Sequence, residues 1–361
     1  MVFAVSQAIS NFGDKLDYMA LLAMVAVLAE RNQWQSARAN SFLLVIGTLP
    51  VILFGPLAGA LVDRWNRKHV LVVCDTLRAI LVVSIPVLAL RTQSLPLVFL
   101  IAFVVFLLGM FFNTARLAII PNLVATSQLL EANSLLALIG RGATFAGMLL
   151  GGLIVDWPGW RRLGIRETWS AGFYVDSLTF VISAVTLGAM SIQLAVRPVE
   201  PNARFLAVAR SRLHSFVAAL DRRLGDLHQD LVEAYRLMRR SPAVRLVLAS
   251  IVLFVVLGAA VVVLLIPIVQ TIRDDLRLGV GTRVGLVGAA GSAGLVASSL
   301  LYGLLGRRLR KGYAILGGFV VLGVLTVVIA LVQSLGLMLG VAFFAGLLLA
   351  PIGIAQDTLI H

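Results

Sequence analysis

Gly59-Ala60-Leu61-Val62-Asp63-Arg64-Trp65-Asn66-Arg67-Lys68 joins two long apolar runs, and its reading decides the fold. One carboxylate and three cations follow a stretch too hydrophobic to stay in water. Such a segment is a short basic loop held at a membrane face. On both sides of it, apolar runs of spanning length recur along nearly the whole chain. A helix needs about 20 residues to cross the hydrocarbon layer.

The 361-residue chain is 60% hydrophobic and 13% charged, against roughly 25% charged in a soluble domain. Lipid tolerates no unpaired backbone, so the spans are helices. The alternating pattern of a membrane barrel is absent. By apolar length about ten spans are expected, near 2–29, 41–62, 69–90, 95–115, 131–155, 169–193, 246–269, 283–305, 312–333 and 336–358. The expected fold class is an all-α integral membrane protein. The first run is not a signal peptide, because it has no basic start and Asp14, Lys15 and Asp17 interrupt its middle.

A net charge of +13 suggests nucleic acid at first sight. The Arg residues, however, cluster in loops between spans, so no nucleic-acid partner is expected. Positive charge there orients helices toward the cytoplasm. Arg64, Arg67 and Lys68 follow the second span, and Arg307, Arg308, Arg310 and Lys311 the eighth. The loops after the third and ninth carry almost nothing. Arg161, Arg162 and Arg166 are the exception, and the balance places the amino terminus in the cytoplasm. Cys74 is the single cysteine, which excludes an internal disulfide and a Cys-based metal site. The histidines (His69, His214, His228 and His361) lack ligand spacing. No metal and no cofactor are expected. Without a nucleotide-binding loop or a nucleophile–base constellation, neither an enzyme nor an ATP-driven pump is indicated.

Three parts follow along the chain: a six-helix bundle over 1–193, a cytoplasmic amphipathic linker over 194–245, and about four helices over 246–361. In the linker, Leu224, Leu227, Leu231, Tyr235 and Met238 recur at helical spacing between charged residues, the pattern of a helix lying on a membrane face. Gly303-Leu304-Leu305-Gly306-Arg307-Arg308-Leu309-Arg310-Lys311 echoes the opening stretch, one residue shorter and without the Asp. Two similar bundles related by a pseudo-two-fold axis are the parallel-repeat plan of many carriers.

With these residues in view, the chain resembles the major facilitator superfamily. That family's first cytoplasmic loop reads Gly-x-Leu-x-Asp-Arg-x-Gly-Arg-Arg/Lys. Gly59, Leu61, Asp63, Arg64, Arg67 and Lys68 match it, and Asn66 stands in for the second glycine, a mild change if the position is left-handed. Ser6-Gln7, Ser10, Gly13-Asp14, Asn113 to Arg116, Pro121 and Ala132-Asn133-Ser134 look like the drug and siderophore exporter branch. The antiporter signature Gly-Pro-x-x-Gly-Gly reads here Gly147-Met148-Leu149-Leu150-Gly151-Gly152, without its proline kink. The resemblance implies twelve spans, so the last two would lie beyond His361, and the amino terminus would be clipped as well.

The resemblance also implies a function: proton-coupled efflux of amphipathic small molecules by a monomer in the cell membrane, among lipids, by alternating access. An importer, a lysolipid flippase or a truncated, non-transporting membrane remnant are the alternatives.

Charges inside spans cost about 2.5–3.5 kcal/mol each on insertion scales, so each needs a reason. Asp14 and Asp17 share one helix face and are candidates for a proton or cation site, or for a structural pair. Desolvation favours the neutral form of a carboxylic acid, which proton exchange requires. Arg141 would meet an anionic substrate or Asp14, or form a buried pair with Asp176; the pair is the favoured reading. Asp75 and Arg78, three apart, would satisfy each other. Arg116 would snorkel to the interface or reach the Asp63 loop. Asp63, Arg64, Arg67 and Lys68 would cap a helix end, grip carbonyls and lipid phosphates, and latch the two halves. Gly55 and Gly59, Gly147 and Gly151 with Gly152, and the series Gly285, Gly288, Gly291 and Gly294 are expected at close helix contacts, the last on one face.

Overall fold

The computed structural model describes residues 2–32, 34–62, 65–125, 128–190, 256, 268–269, 272, 278–305, 320–321, 323–329 and 331–360. The expected linker, most of the runs near 246–269 and 312–333, the basic repeat at 306–311, and Asp63 and Arg64 lie outside the described residues. The long helices are α1 (Val2–Arg31), α2 (Ser36–Val62), α3 (Arg67–Thr92), α4 (Leu95–Leu123), α5 (Leu129–Asp156), α6 (Trp169–Ala189), α7 (Val280–Leu305) and α8 (Leu335–Ile360). Each agrees with an expected apolar run and generally extends past it, because capped ends add polar turns beyond the hydrocarbon. Asn66 opens α3 by accepting from the backbone N–H of Lys68 and His69, and left-handed Gln93 closes it.

Six of the described helices are long and apolar enough to cross a membrane. The first is not among them, because Asp14, Lys15 and Asp17 interrupt it. Its position supplies the reason: α1 packs against α2, α5, α6 and α7. A helix walled by protein can carry charges that a lipid-facing one cannot.

Residues 1–193 and 257–355 form one compact unit; a second comprises 194–256 and 356–361, of which only Val256 and the end of α8 are described. Helices α1 to α6 alternate in direction, and α7 starts at the same end as α6. One end, the loop end, carries the α2–α3 connection; the opposite one is the far end. Toward the far end, Leu21, Met24 and Leu28 of α1 pack with Leu43, Ile85, Leu95, Val98 and Phe173 into a dry core. Toward the loop end that core gives way to charges and a cavity.

The glycines divide by partner. Gly147 and Gly151 face α1: a methyl group on the first would lie 2.8 Å from the Phe12 carbonyl oxygen, and on the second 3.3 Å from Met19. Gly152, one residue on and so turned by about 100°, meets the backbone of Gly281 on α7 instead. The α7 series does not hold one face. Gly285 and Gly288 face Met148 of α5, whereas Gly291 and Gly294 face α8. Steps of three residues fall about 60° short of a full turn, so the row winds from one neighbour to the next. Gly55 and Gly59 meet no described residue.

Candidate functional site

At the loop end, the described part of the basic motif ties neighbouring helix ends together. Lys68 Nζ donates to the carbonyls of Gly188 and Met190, 2.7 Å each, closing the C-terminus of α6. Arg67 donates to Asn122 Oδ1 at the end of α4, 2.7 Å away. A cation on terminal carbonyls also meets the negative end of the helix dipole. Asn66 is not left-handed as its place in the motif suggests: with φ −68° and ψ 109° it is an extended N-cap, so its side chain matters more than its backbone freedom.

Midway along the helices, α1, α3 and α6 bring four carboxylates around one guanidinium. Arg78 is ion-paired with Asp14, and its other terminal nitrogen lies 3.6 Å from Asp75. Asp17 and Asp176 lie within electrostatic reach of the same cation. The Phe180 ring covers the guanidinium, its centroid 4.0 Å away. Asp17, Asp75, Arg78 and Asp176 are all buried. Thr179 donates to the Asp176 carboxylate at 3.0 Å, while Asp176 Oδ2 and Asp17 Oδ1 have no hydrogen-bond partner among the described residues. Gly13 makes this approach possible, since any side chain there would run into Asp176 and Thr179. About two turns nearer the loop end, Ser6 and Ser183 share a 2.8 Å hydrogen bond.

Arg78 keeps the expected ion pair with Asp75 and in addition turns across to Asp14 on α1. Two expectations change here. Arg141 does not pair with Asp176: it is exposed, whereas Asp176 is buried beside α1. Arg116 does not snorkel. It is half-buried, with one nitrogen 3.4 Å from Gln7 Oε1. Its expected alternative contact, Asp63, lies outside the described residues.

A cavity of about 680 Å³ opens beside this cluster, walled by α1, α4, α5 and α7. Asn11, Asp14 and Lys15 line it from α1, Asn113 and Arg116 from α4, and Gly140, Arg141 and Thr144 from α5. Leu117, Ile120, Leu136 and Leu295 supply apolar wall. The volume is that of a site for a drug-sized molecule. Among the described residues, no group of His, Cys, Asp and Glu is placed to hold a metal ion.

At the far end α5 and α7 come together backbone to backbone. The Asp156 carboxylate, ending α5, accepts from the backbone N–H of Thr282 in the first turn of α7. Thr282 Oγ1 reaches back to the Gly152 carbonyl at 3.3 Å. Gly279 and Gly281 flank the carboxylate, where any side chain would meet it.

The family model for the Major Facilitator Superfamily matches residues 6–361. The uncharacterized MFS-type transporter YfiS of Bacillus subtilis (strain 168) is 26% identical over 52% of this chain, and the chain spans 41% of that protein's length. The multidrug efflux pump Tap of Mycolicibacterium fortuitum is 27% identical over 88% of this chain and 71% of its own length. Among solved structures, a bacterial homologue of the human lysosomal transporter Spinster, inward-facing and unoccupied, superimposes with a TM-score of 0.69 over 99% of this chain and 74% of its own, at 14% identity. That likeness concerns the fold alone.

Proposed function

Since the chain belongs to the Major Facilitator Superfamily, and is thus a membrane transporter and not an enzyme, we propose that it exports amphipathic small molecules in exchange for protons. The observation behind this reading is the cavity with mixed polar and apolar walls beside a buried excess of carboxylates. Kinship with a multidrug efflux pump supports the outward direction.

In this reading the protein lies in the cell membrane with its loop end in the cytoplasm, as the basic loop indicates. Residues 1–193 and 246–361 act as two bundles, joined through 194–245. Substrate enters the cavity from the loop end while the α5–α7 contact keeps the far end shut. Alternating access opens that contact and closes the other end.

Asp14, Asp17, Asp75 and Asp176 form the proton store. Asp17, Asp75 and Asp176 each keep an oxygen without a hydrogen-bond partner among the described residues, and a proton taken up there reduces the cost of buried charge. Asp14 joins store to cavity, because it both lines the cavity and pairs with Arg78.

The test is efflux of a fluorescent amphiphile from proteoliposomes under an imposed pH gradient. Asp14→Asn and Asp17→Asn should each abolish the response to the gradient while exchange without a gradient continues. Gradient-driven efflux unchanged in both variants would remove this cluster from the mechanism.

A further inference from the structure

We infer that the cavity is built for a substrate carrying an anionic group, a carboxylate, sulfonate or phosphate on an otherwise apolar body. This deepens the reading above and rests on the cavity being the substrate site.

Lys15, Arg116 and Arg141 all line the cavity. Asp14 is the one carboxylate among its described lining residues, and Arg78 already holds it. Among the described residues Arg116 donates to the neutral Gln7, at 3.4 Å, and feels the Asp14 charge that Arg78 already holds, while its Nε is buried without a described hydrogen-bond partner. Thus three cations face the space with no described counter-charge of their own. The other carboxylates of the cluster, Asp17, Asp75 and Asp176, lie buried within the protein and do not line the cavity.

The rest of the sequence offers little to neutralise them. Between Glu233 and Asp357 the chain holds only two acids, Asp274 and Asp275, which come just ahead of the far-end start of α7. Of the expected spans after the linker, only the last, over 336–358, carries a carboxylate, Asp357 near its end. Half-buried Arg116 gains most from a counter-charge, and Lys15 and the exposed Arg141 add charge-assisted hydrogen bonds to the same anion. Asn11, Asn113, Thr144 and Ser292 add neutral hydrogen-bonding groups around the same space. Leu117, Ile120, Leu136 and Leu295 leave room for an apolar body. Anion and proton then occupy different groups, and exchange works through the preference of each for one facing state, without direct competition.

The experiment uses three probes with one ring system: anilinonaphthalene sulfonate, neutral N-phenylnaphthylamine and a trimethylammonium analogue. Binding is read by fluorescence on the purified full-length chain, and transport by counterflow in proteoliposomes. The sulfonate should bind best. Arg141→Gln and Lys15→Gln should each weaken it about tenfold while leaving the neutral probe within twofold of its original affinity. Arg141→Lys should recover part of the loss. Equal or better binding of the neutral or cationic probe overturns the proposal, as does Arg141→Gln weakening all three alike. Transport of the neutral or cationic probe without sulfonate preference would sink the anion site and leave the exporter reading standing. Sulfonate-selective binding lost in Arg141→Gln, with no transport of any probe, would support the anion site and sink the exporter reading.

Discussion

The two ends of the helical unit are held by opposite means. At the loop end long side chains do the holding: Lys68 reaches carbonyls at the end of α6 and Arg67 reaches Asn122. At the far end side chains are almost removed, and Gly152 lies against the backbone of Gly281 with Asp156 seated on the first turn of α7. Flexible chains can release and re-form their contacts over several ångströms. Apposed backbones cannot slide without parting, so their contact is either made or lost. In the proposed cycle the far end is the two-position closure, and the loop end a brace that keeps α3, α4 and α6 together.

The sharpest way to break this contrast is Gly152→Val. Its Cβ falls on the Gly281 backbone, where no flexible side chain can give way. Overpacking costs about 1–3 kcal/mol, and the far end should be forced open. Spin labels on the outer ends of α5 and α7 should then report a longer separation; an unchanged distance would mean the contact is not a closure. Asp156→Ala comes next, removing a charge from a helix N-terminus and leaving the Thr282 N–H unpartnered. A loss of about 1–2 kcal/mol is expected, read as a lower unfolding midpoint in detergent that Asp156→Asn partly restores.

The loop end should respond more mildly. Asn66→Ala removes the α3 cap and should cost about 1 kcal/mol, with no change in the separation of the far ends. Movement at the far end in this variant would show that the two regions are not independent. The smallest effect is expected at Gly59, where a methyl group meets no described residue. Gly59→Ala should be neutral, or stabilise α2 by up to about 1 kcal/mol through helix propensity. A large loss of thermal stability would mean that Gly59 packs closely after all.

The helices were legible because apolar length is a direct readout of a membrane's thickness. Even the charged first run could be recognised, since Asp14 and Asp17 fall on one face of it. The partners of the charges were less legible. Asp75 and Arg78 are near in sequence, and helical spacing alone pairs them, yet Arg78 also crosses to α1. Depth is the signal that was available. Asp14 lies twelve residues in from Val2, Arg78 eleven in from Arg67, and Asp176 thirteen in from Ala189, all at loop-end helix termini. Groups at equal depth on alternating helices are the ones that can meet. Rotation about each helix axis was not available, and it sends Arg141 to the cavity and Asp176 to the interior. Nothing in the sequence singles out Asp156; only the run Gly279-Val280-Gly281 at the start of a distant helix hints that a carboxylate could sit so close.

The Asp14–Arg78 pair has a consequence for how the chain is made. The first helix emerges carrying three ionisable groups that lipid does not accept, and the cation that matches one of them arrives two helices later. Until α3 and α6 enter the membrane, α1 has no stable resting place there and must wait at the insertion machinery or at the headgroup boundary. Biogenesis is therefore ordered by electrostatics: α1, made before α3 and α6, settles only after them.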